Sequence, residues 1–161
     1  MGKTTLLEEF SCQLFISDVD GVLTDGKIYL GPQEELFKVF NARDGLGIVK
    51  ALQKGLSIAL ITGRESEITA KRAQELGIKY VYQNIQDKAP VVRGLCHEIG
   101  VSLDRTAYIG DDLNDLPALK IVGLPLAVRD AASEVKTVAT YVTQNRGGEG
   151  AVREVLNKLC L

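Results

Sequence analysis

Apolar runs at residues 13–17, 57–61 and 106–109 each end in polar groups: Asp18 and Asp20 after the first, Thr62-Gly63 after the second, Gly110-Asp111 after the third. Short runs without alternation predict strands buried on both faces of a parallel sheet, delivering polar groups at their C-terminal ends. Helical periodicity separates them. It predicts helices over residues 46–54, with Leu46, Val49 and Leu52 on one face, over 66–76 closed by Gly77, and over 88–99 closed by Gly100. A further helical stretch at 113–122, with Pro117 tolerable only near its start, precedes a strand at 124–128. Residues 132–138, a short strand near 141–143 and a helix over 151–159 complete the pattern. Strand and helix alternate, so the fold class is α/β: a Rossmann-like, mainly parallel sheet flanked by helices.

One piece breaks the alternation. Residues 27–30 and 36–40 are short β-like runs joined through Gly31-Pro32, which predicts a β-hairpin spanning 27–40 that projects from the loop after the first strand. An isolated hairpin is marginal in water, so it should pack on the domain or on a partner chain. No other insertion is large enough to form a cap domain.

The 161 residues fit one domain, with residues 145–161 as its C-terminal tail and helix. Hydrophobic residues at 45% and charged residues at 25% suit a globular protein, and a formal charge of −2 gives no electrostatic case for nucleic acid. Cys12, Cys96 and Cys160 are odd in number and lack zinc-site spacing, so they are expected to be reduced thiols. With no apolar run long enough for a leader or a membrane helix, the expected location is the cytoplasm, with no membrane partner. Gly2-Lys3-Thr4-Thr5 imitates the end of a phosphate-binding loop but lacks the upstream glycine and strand, so a frayed N-terminal segment is expected.

Four chemical signals follow in order. Asp18 and Asp20 lie two apart beyond a strand, so both carboxylates can face the crevice where open α/β sheets bind ligands. Thr62 and the Gly63 amide emerge at a strand end ahead of a helix, a turn able to hold phosphate oxygens. Lys88 opens a helix. Asp111, Asp112 and Asp115 crowd three carboxylates into five residues, a hard-oxygen set that suits Mg²⁺. Lone His97 sits in a helical pattern without a ligand partner and is expected to be structural, and Tyr29, Phe37 and Phe40 are expected to be packing residues.

The order Asp18-x-Asp20, Thr62, Lys88, Gly110-Asp111-Asp112-x-x-Asp115 resembles the haloacid dehalogenase superfamily. The runs Asp18 to Gly26, Phe40 to Gly45, Gly63 to Ser66, Gly110 to Asp115 and Gly147 to Glu154 narrow the resemblance to cap-less 3-deoxy-D-manno-octulosonate 8-phosphate (KDO 8-phosphate) phosphatases. Sister enzymes acting on nonulosonate 9-phosphates share most of these motifs and stand as the alternative. Ser17 departs from the Thr or Leu frequent in the family at that position.

The resemblance implies an Mg²⁺-dependent phosphatase whose substrate is a small anionic sugar phosphate. Asp18 would be the nucleophile and Asp20 the general acid and base. The metal would be held by Asp18, Asp111 and the backbone carbonyl of Asp20. Thr62, Gly63 and Lys88 would bind phosphate, with Asp112 and Asp115 orienting Lys88 or metal-bound water. Asn41, Ala42, Arg43, Asp44, Gly45, Arg64 and Arg72 would line the sugar-acid site, and arginine suits a carboxylate because it binds it with two parallel hydrogen bonds. The family forms homotetramers through its hairpins; a tail carrying Arg146, Gly147 to Gly150 and Arg153 could swing toward an anionic substrate, and a plain loop followed by a C-terminal helix stands as the alternative. A phospho-accepting receiver domain fits less well, since its acidic pair and its phospho-acceptor lie on different strands. A non-catalytic assembly module fits poorly with retention of Asp18, Asp20, Thr62, Lys88 and Asp111.

Overall fold

The computed structural model describes residues 3–160. Six parallel strands form the central sheet: β1 (Leu14–Ser17), β4 (Ser57–Ile61), β5 (Tyr80–Tyr82), β6 (Thr106–Gly110), β7 (Leu124–Ala127) and β8 (Tyr141–Val142). They lie in the order β5-β4-β1-β6-β7-β8. Every residue of β1 is buried, as its unbroken apolar run requires of a central strand covered on both faces. Helices α1 (Lys3–Glu8), α2 (Ala42–Gln53), α3 (Glu67–Leu76) and α7 (Ala151–Leu159) pack with one another, while α4 (Lys88–Ile99), α5 (Leu116–Leu119) and α6 (Ser133–Val138) form a second group.

The chain leaves β1 toward β4 and β5, then returns to β6 on the other side of β1. Strand order therefore reverses at β1, and the crevice beyond its C-terminal end is where such sheets bind ligands. Register brings the key turns level there. Ser17 pairs with both Leu60 and Ile109, and Asp18 N continues the ladder onto Ile109 O at 3.1 Å.

The predicted hairpin is present as β2 (Tyr29–Leu30) antiparallel to β3 (Glu35–Phe37), closed by Gly31 N donating to Glu34 O at 2.8 Å. Tyr29 and Phe37 stack with ring centroids 4.3 Å apart, which fits their expected packing role.

Four local expectations are corrected. The N-terminal segment is not frayed over its described part: α1 forms and buries Leu7 completely against the core, although Gly2 lies outside the described residues. In α2 the face of Leu46, Val49 and Leu52 is only partly right: Leu52 packs against the core and Val49 is half-buried, but the most buried face is a neighbouring one. Leu46 is 50% exposed, and the buried residues are Asp44, Gly45, Gly47, Ile48 and Ala51. Small residues mark this face because a neighbour comes close: a Cβ on Gly47 would lie 2.8 Å from Arg153 Cδ of α7. Residues 113–122 form a 3₁₀ turn (Leu113–Asp115) and the single-turn α5, since Asp112 and Asp115 cap one another and Pro117 then resets the chain. Edge strand β5 is not among the expected strands, because Tyr80-Val81-Tyr82 is only three half-buried residues long.

Candidate active site

Asp18 leaves β1 as its last ladder residue and is 4% exposed. Its Oδ1 accepts from Val19 N at 2.6 Å, and its Oδ2 lies 3.0 Å from Lys88 Nζ. The following loop is shaped by Thr24, whose Oγ1 accepts from Gly21 N and Gly26 N, each at 3.2 Å. Only glycine serves at position 21: φ is +89°, and a Cβ there would lie 2.0 Å from Asp111 Oδ2. That contact shows how tightly the first and last acidic motifs are pressed together.

Lys88, at the first turn of α4, is fully buried and spans Asp18 and Asp115, with Nζ 2.6 Å from Asp115 Oδ1. Burial works against its charge, but Asp18 and Asp115 outweigh it and hold the ammonium above its ordinary range. Asp115 is saturated. Its Oδ1 also accepts from Tyr108 Oη at 2.7 Å, and its Oδ2 accepts from Asp111 N at 2.9 Å and Asp112 N at 3.3 Å. With four donors on two oxygens, it is a positioning group for Lys88 and the Asp111 turn, although its carboxylate lies within 4.8 Å of those of Asp18 and Asp111.

Asp18 and Asp111, the other two members of that carboxylate cluster, carry far fewer hydrogen bonds. Burial, then the charge of Asp115, raises Asp18 to about 7 even with Lys88 beside it. Burial, then Asp18 and Asp115, raises Asp111 to about 8. Two carboxylates this close and this desolvated fit a cation between them, and hard oxygen donors of this kind fit Mg²⁺.

These groups open into a crevice of about 550 Å³ lined by Asp18, Asp20, Thr62, Gly63, Arg64 and Asp111, with Gly26, Asp112 and Asn114 at its margin. Thr62 is held by its amide donating to Tyr82 O at 2.9 Å, and Ser66 caps α3 just beyond. Asp20 is bonded to Lys38, whose Nζ donates to Oδ1 at 2.5 Å.

The remaining predicted residues lie elsewhere. Asn41 caps α2, accepting from Arg43 N at 2.8 Å, and donates to Gly148 O at 3.2 Å. Ala42 and Arg43 are exposed on the first turn of α2, with Arg43 beside Glu149, Arg153 and Asn157. Asp44 is buried, accepts from Arg153 N at 2.7 Å, and is raised by burial to about 6. Arg72 covers Gly45, lies 5.8 Å over the Phe40 ring and pairs with Glu75 at 3.1 Å. None of these lines the crevice containing Asp18. The structure also adds residues not assigned a role from sequence. Asn114 was legible in the acidic motif, and Tyr108 as a polar group inside a buried strand, whereas nothing marked Lys38 on the hairpin. His97 is exposed on α4.

The fold and this carboxylate site define a haloacid dehalogenase-like hydrolase, and the profile of that family matches residues 81–156. The 3-deoxy-D-manno-octulosonate 8-phosphate phosphatase of Escherichia coli K12 is 44% identical over 92% of this chain and 79% of its own. Its counterpart in Yersinia pestis superposes with a TM-score of 0.93 at 42% identity, over 97% of this chain and 84% of that one. The enzyme of Moraxella catarrhalis, solved with a magnesium ion, a phosphate ion and KDO, gives 0.92 at 38% identity, over 98% and 89%. The chain belongs to the KDO 8-phosphate phosphatase family and is a phosphoric monoester hydrolase.

Proposed function

We propose that this chain hydrolyses KDO 8-phosphate to KDO and phosphate. The observation that carries this reading is Asp18, whose carboxylate is fixed by Lys88 and the Val19 amide at the floor of a crevice shared with Thr62, Gly63 and Asp20. Asp18 attacks phosphorus in line, an acyl-phosphate P–O bond forms, and the bond to the sugar oxygen breaks as Asp20 delivers a proton to it. Asp20 then takes a proton from the water that cleaves the phospho-aspartate. Thr62 and the Gly63 amide hold the phosphate oxygens, and Lys88 neutralises charge on Asp18 and phosphate.

Asp18, Asp111 and the backbone carbonyl of Asp20 would hold Mg²⁺, which when bound supplies the positive charge that lets an anionic nucleophile approach an anionic phosphate. Arg64, 42% exposed at the crevice wall, is the cation placed to take the sugar carboxylate. Asn41, Asp44, Gly45 and Arg72 are engaged in packing α2 against the 148–153 segment and α3, whereas Ala42 and Arg43 stay exposed.

The reading includes a homotetramer. It is supported by the exposed apolar side chains of the hairpin, among them Leu30 at 67% and Leu36 at 58%, which need cover that the cap-less fold does not supply. Among the described residues no helix is long and apolar enough to cross a membrane, and the three cysteines are free, which supports a cytoplasmic enzyme. A phosphatase panel of KDO 8-phosphate, nonulosonate 9-phosphates and simple sugar phosphates, run on wild type and Asp18→Asn, tests the proposal. Turnover should be greatest on KDO 8-phosphate and absent in the variant. Preference for a nonulosonate ester would overturn the substrate, and an active variant the covalent mechanism.

A further inference from the structure

Lys38 follows β3 at the base of the hairpin, and its side chain is only 2% exposed. A buried ammonium is costly unless paired, and this one has two partners. It donates to Asp20 Oδ1 at 2.5 Å and stands 2.9 Å from Glu35 Oε1. The second contact lacks hydrogen-bond alignment, so the directed bond goes to Asp20. Glu35 is itself clamped. Its Oε2 accepts from Ser66 Oγ at 2.5 Å, and Arg64 Nη2 lies 3.8 Å from its Oε1. Burial would raise the Glu35 carboxyl, but Ser66, Lys38 and Arg64 outweigh burial and leave it lowered, so it is an anion held in place.

A continuous polar chain thus runs from the cap of α3 through Glu35 and Lys38 to Asp20. Asp20 lines the crevice, yet no other described side chain or amide bonds its carboxylate. An aspartate that must first give a proton and then take one has to hold one oxygen toward the reacting atoms through both steps. Tying the other oxygen down achieves this by removing the rotation of the carboxylate.

We propose that Lys38 is a positioning residue for the reaction: it anchors Asp20 by Oδ1, Glu35 anchors Lys38, and the hairpin thereby fixes the proton-transferring group. The inference rests on Asp20 being the general acid and base. It also assigns the hairpin a second task beyond offering an apolar surface.

Rapid-mixing kinetics with p-nitrophenyl phosphate test this, because p-nitrophenolate leaves without a proton while hydrolysis of the phosphoenzyme still needs the base. Lys38→Met should release a burst of p-nitrophenolate at close to the wild-type rate and then turn over roughly 10–100-fold more slowly, a part of the 10²–10⁴ that acid–base catalysis supplies. On the sugar-acid phosphate, whose alkoxide needs the proton, the first step should slow as well. Glu35→Gln, which keeps the ammonium but loosens it, should show the same pattern at a few-fold. Mg²⁺ affinity should not change in either variant. Loss of burst and steady state in equal measure, or no loss in both variants, would overturn the proposal. Asp20→Asn is the control. If it shows the burst pattern and Lys38→Met does not, the positioning role fails alone; if Asp20→Asn lacks it, the assignment of Asp20 fails too.

Discussion

Asp111→Asn and Asp115→Asn remove one charge each, four residues apart, and should change the stability of the metal-free protein in opposite directions. Asp115 is fully buried and accepts from Lys88, Tyr108, Asp111 and Asp112. An amide in its place keeps one oxygen and turns an NH₂ toward two donors. At least two bonds to a charged acceptor are then lost, at about 1.5–3 kcal/mol each. Lys88 is left with Asp18 alone, and breaking a buried pair costs about 3–5 kcal/mol, so the two routes to a figure agree. For a domain of this size that is a fall in Tm on the order of 10 °C. Asp111 differs, because its carboxylate accepts no hydrogen bond from the described residues, and burial with Asp18 and Asp115 already drives it up to about 8. Its replacement forfeits no hydrogen bond and relieves repulsion, so near pH 8 the variant should match or exceed wild type by about 1 kcal/mol. Urea denaturation near pH 8, with and without Mg²⁺, reads both effects. Mg²⁺ should still stabilise Asp115→Asn and should barely stabilise Asp111→Asn. Equal destabilisation of the two variants would refute the repulsion argument, and loss of the Mg²⁺ effect in Asp115→Asn would make Asp115 a ligand after all.

Asp18 and Asp111 are raised to about 7 and 8, so the native state holds protons that the unfolded chain has released; their contribution is full below about pH 4 and lost as pH rises through 7 and 8. Thermal melts of metal-free protein should therefore fall from pH 5 to 8 while the Mg²⁺-induced rise grows, and a flat Mg²⁺ effect would contradict this. Gly147→Ala would place a Cβ 1.7 Å from Gly21 O, a backbone clash that should cost about 1–3 kcal/mol and reduce turnover, whereas Gly94→Ala in α4, with open space around it, should stabilise by about 0.5–1 kcal/mol; urea titration of both checks the contrast. If the proposed homotetramer forms through the hairpin, Phe37→Asp, placing a charge there, should give a smaller species than wild type in light scattering and lower turnover of the sugar-acid phosphate; a fully active monomer would end the case for shared cover.

The sheet was legible because central parallel strands must be apolar throughout, and the order of Asp18, Thr62, Lys88 and Asp111 along it reported where their turns would meet. Local geometry hid more. The packed face of α2 is written in Gly45 and Gly47, which a search for bulky residues passes over, since close approach demands the absence of a side chain. Lys38 could not be found from its neighbours in sequence: its partner Asp20 is 18 residues earlier, and only the fold of the hairpin joins them. Asn41 and Asp44 carry strong local signals, yet their partners are Gly148 and Arg153, more than a hundred residues away.

Those distant partners also set an order of assembly. The loop carrying Asp18 and Asp20 is braced from outside by the segment near residue 147: Gly148 N donates to Val22 O at 2.9 Å, and Gly147 N is held in turn by Asp130. A chain emerging from the ribosome therefore presents Asp18 and Asp20 long before it can fix the loop around them, which waits until residue 148 has been made. Contacts of such long sequence separation form late and slow folding. Catalytic competence in this enzyme should arrive as one of the last events of folding, after the sheet that supports it.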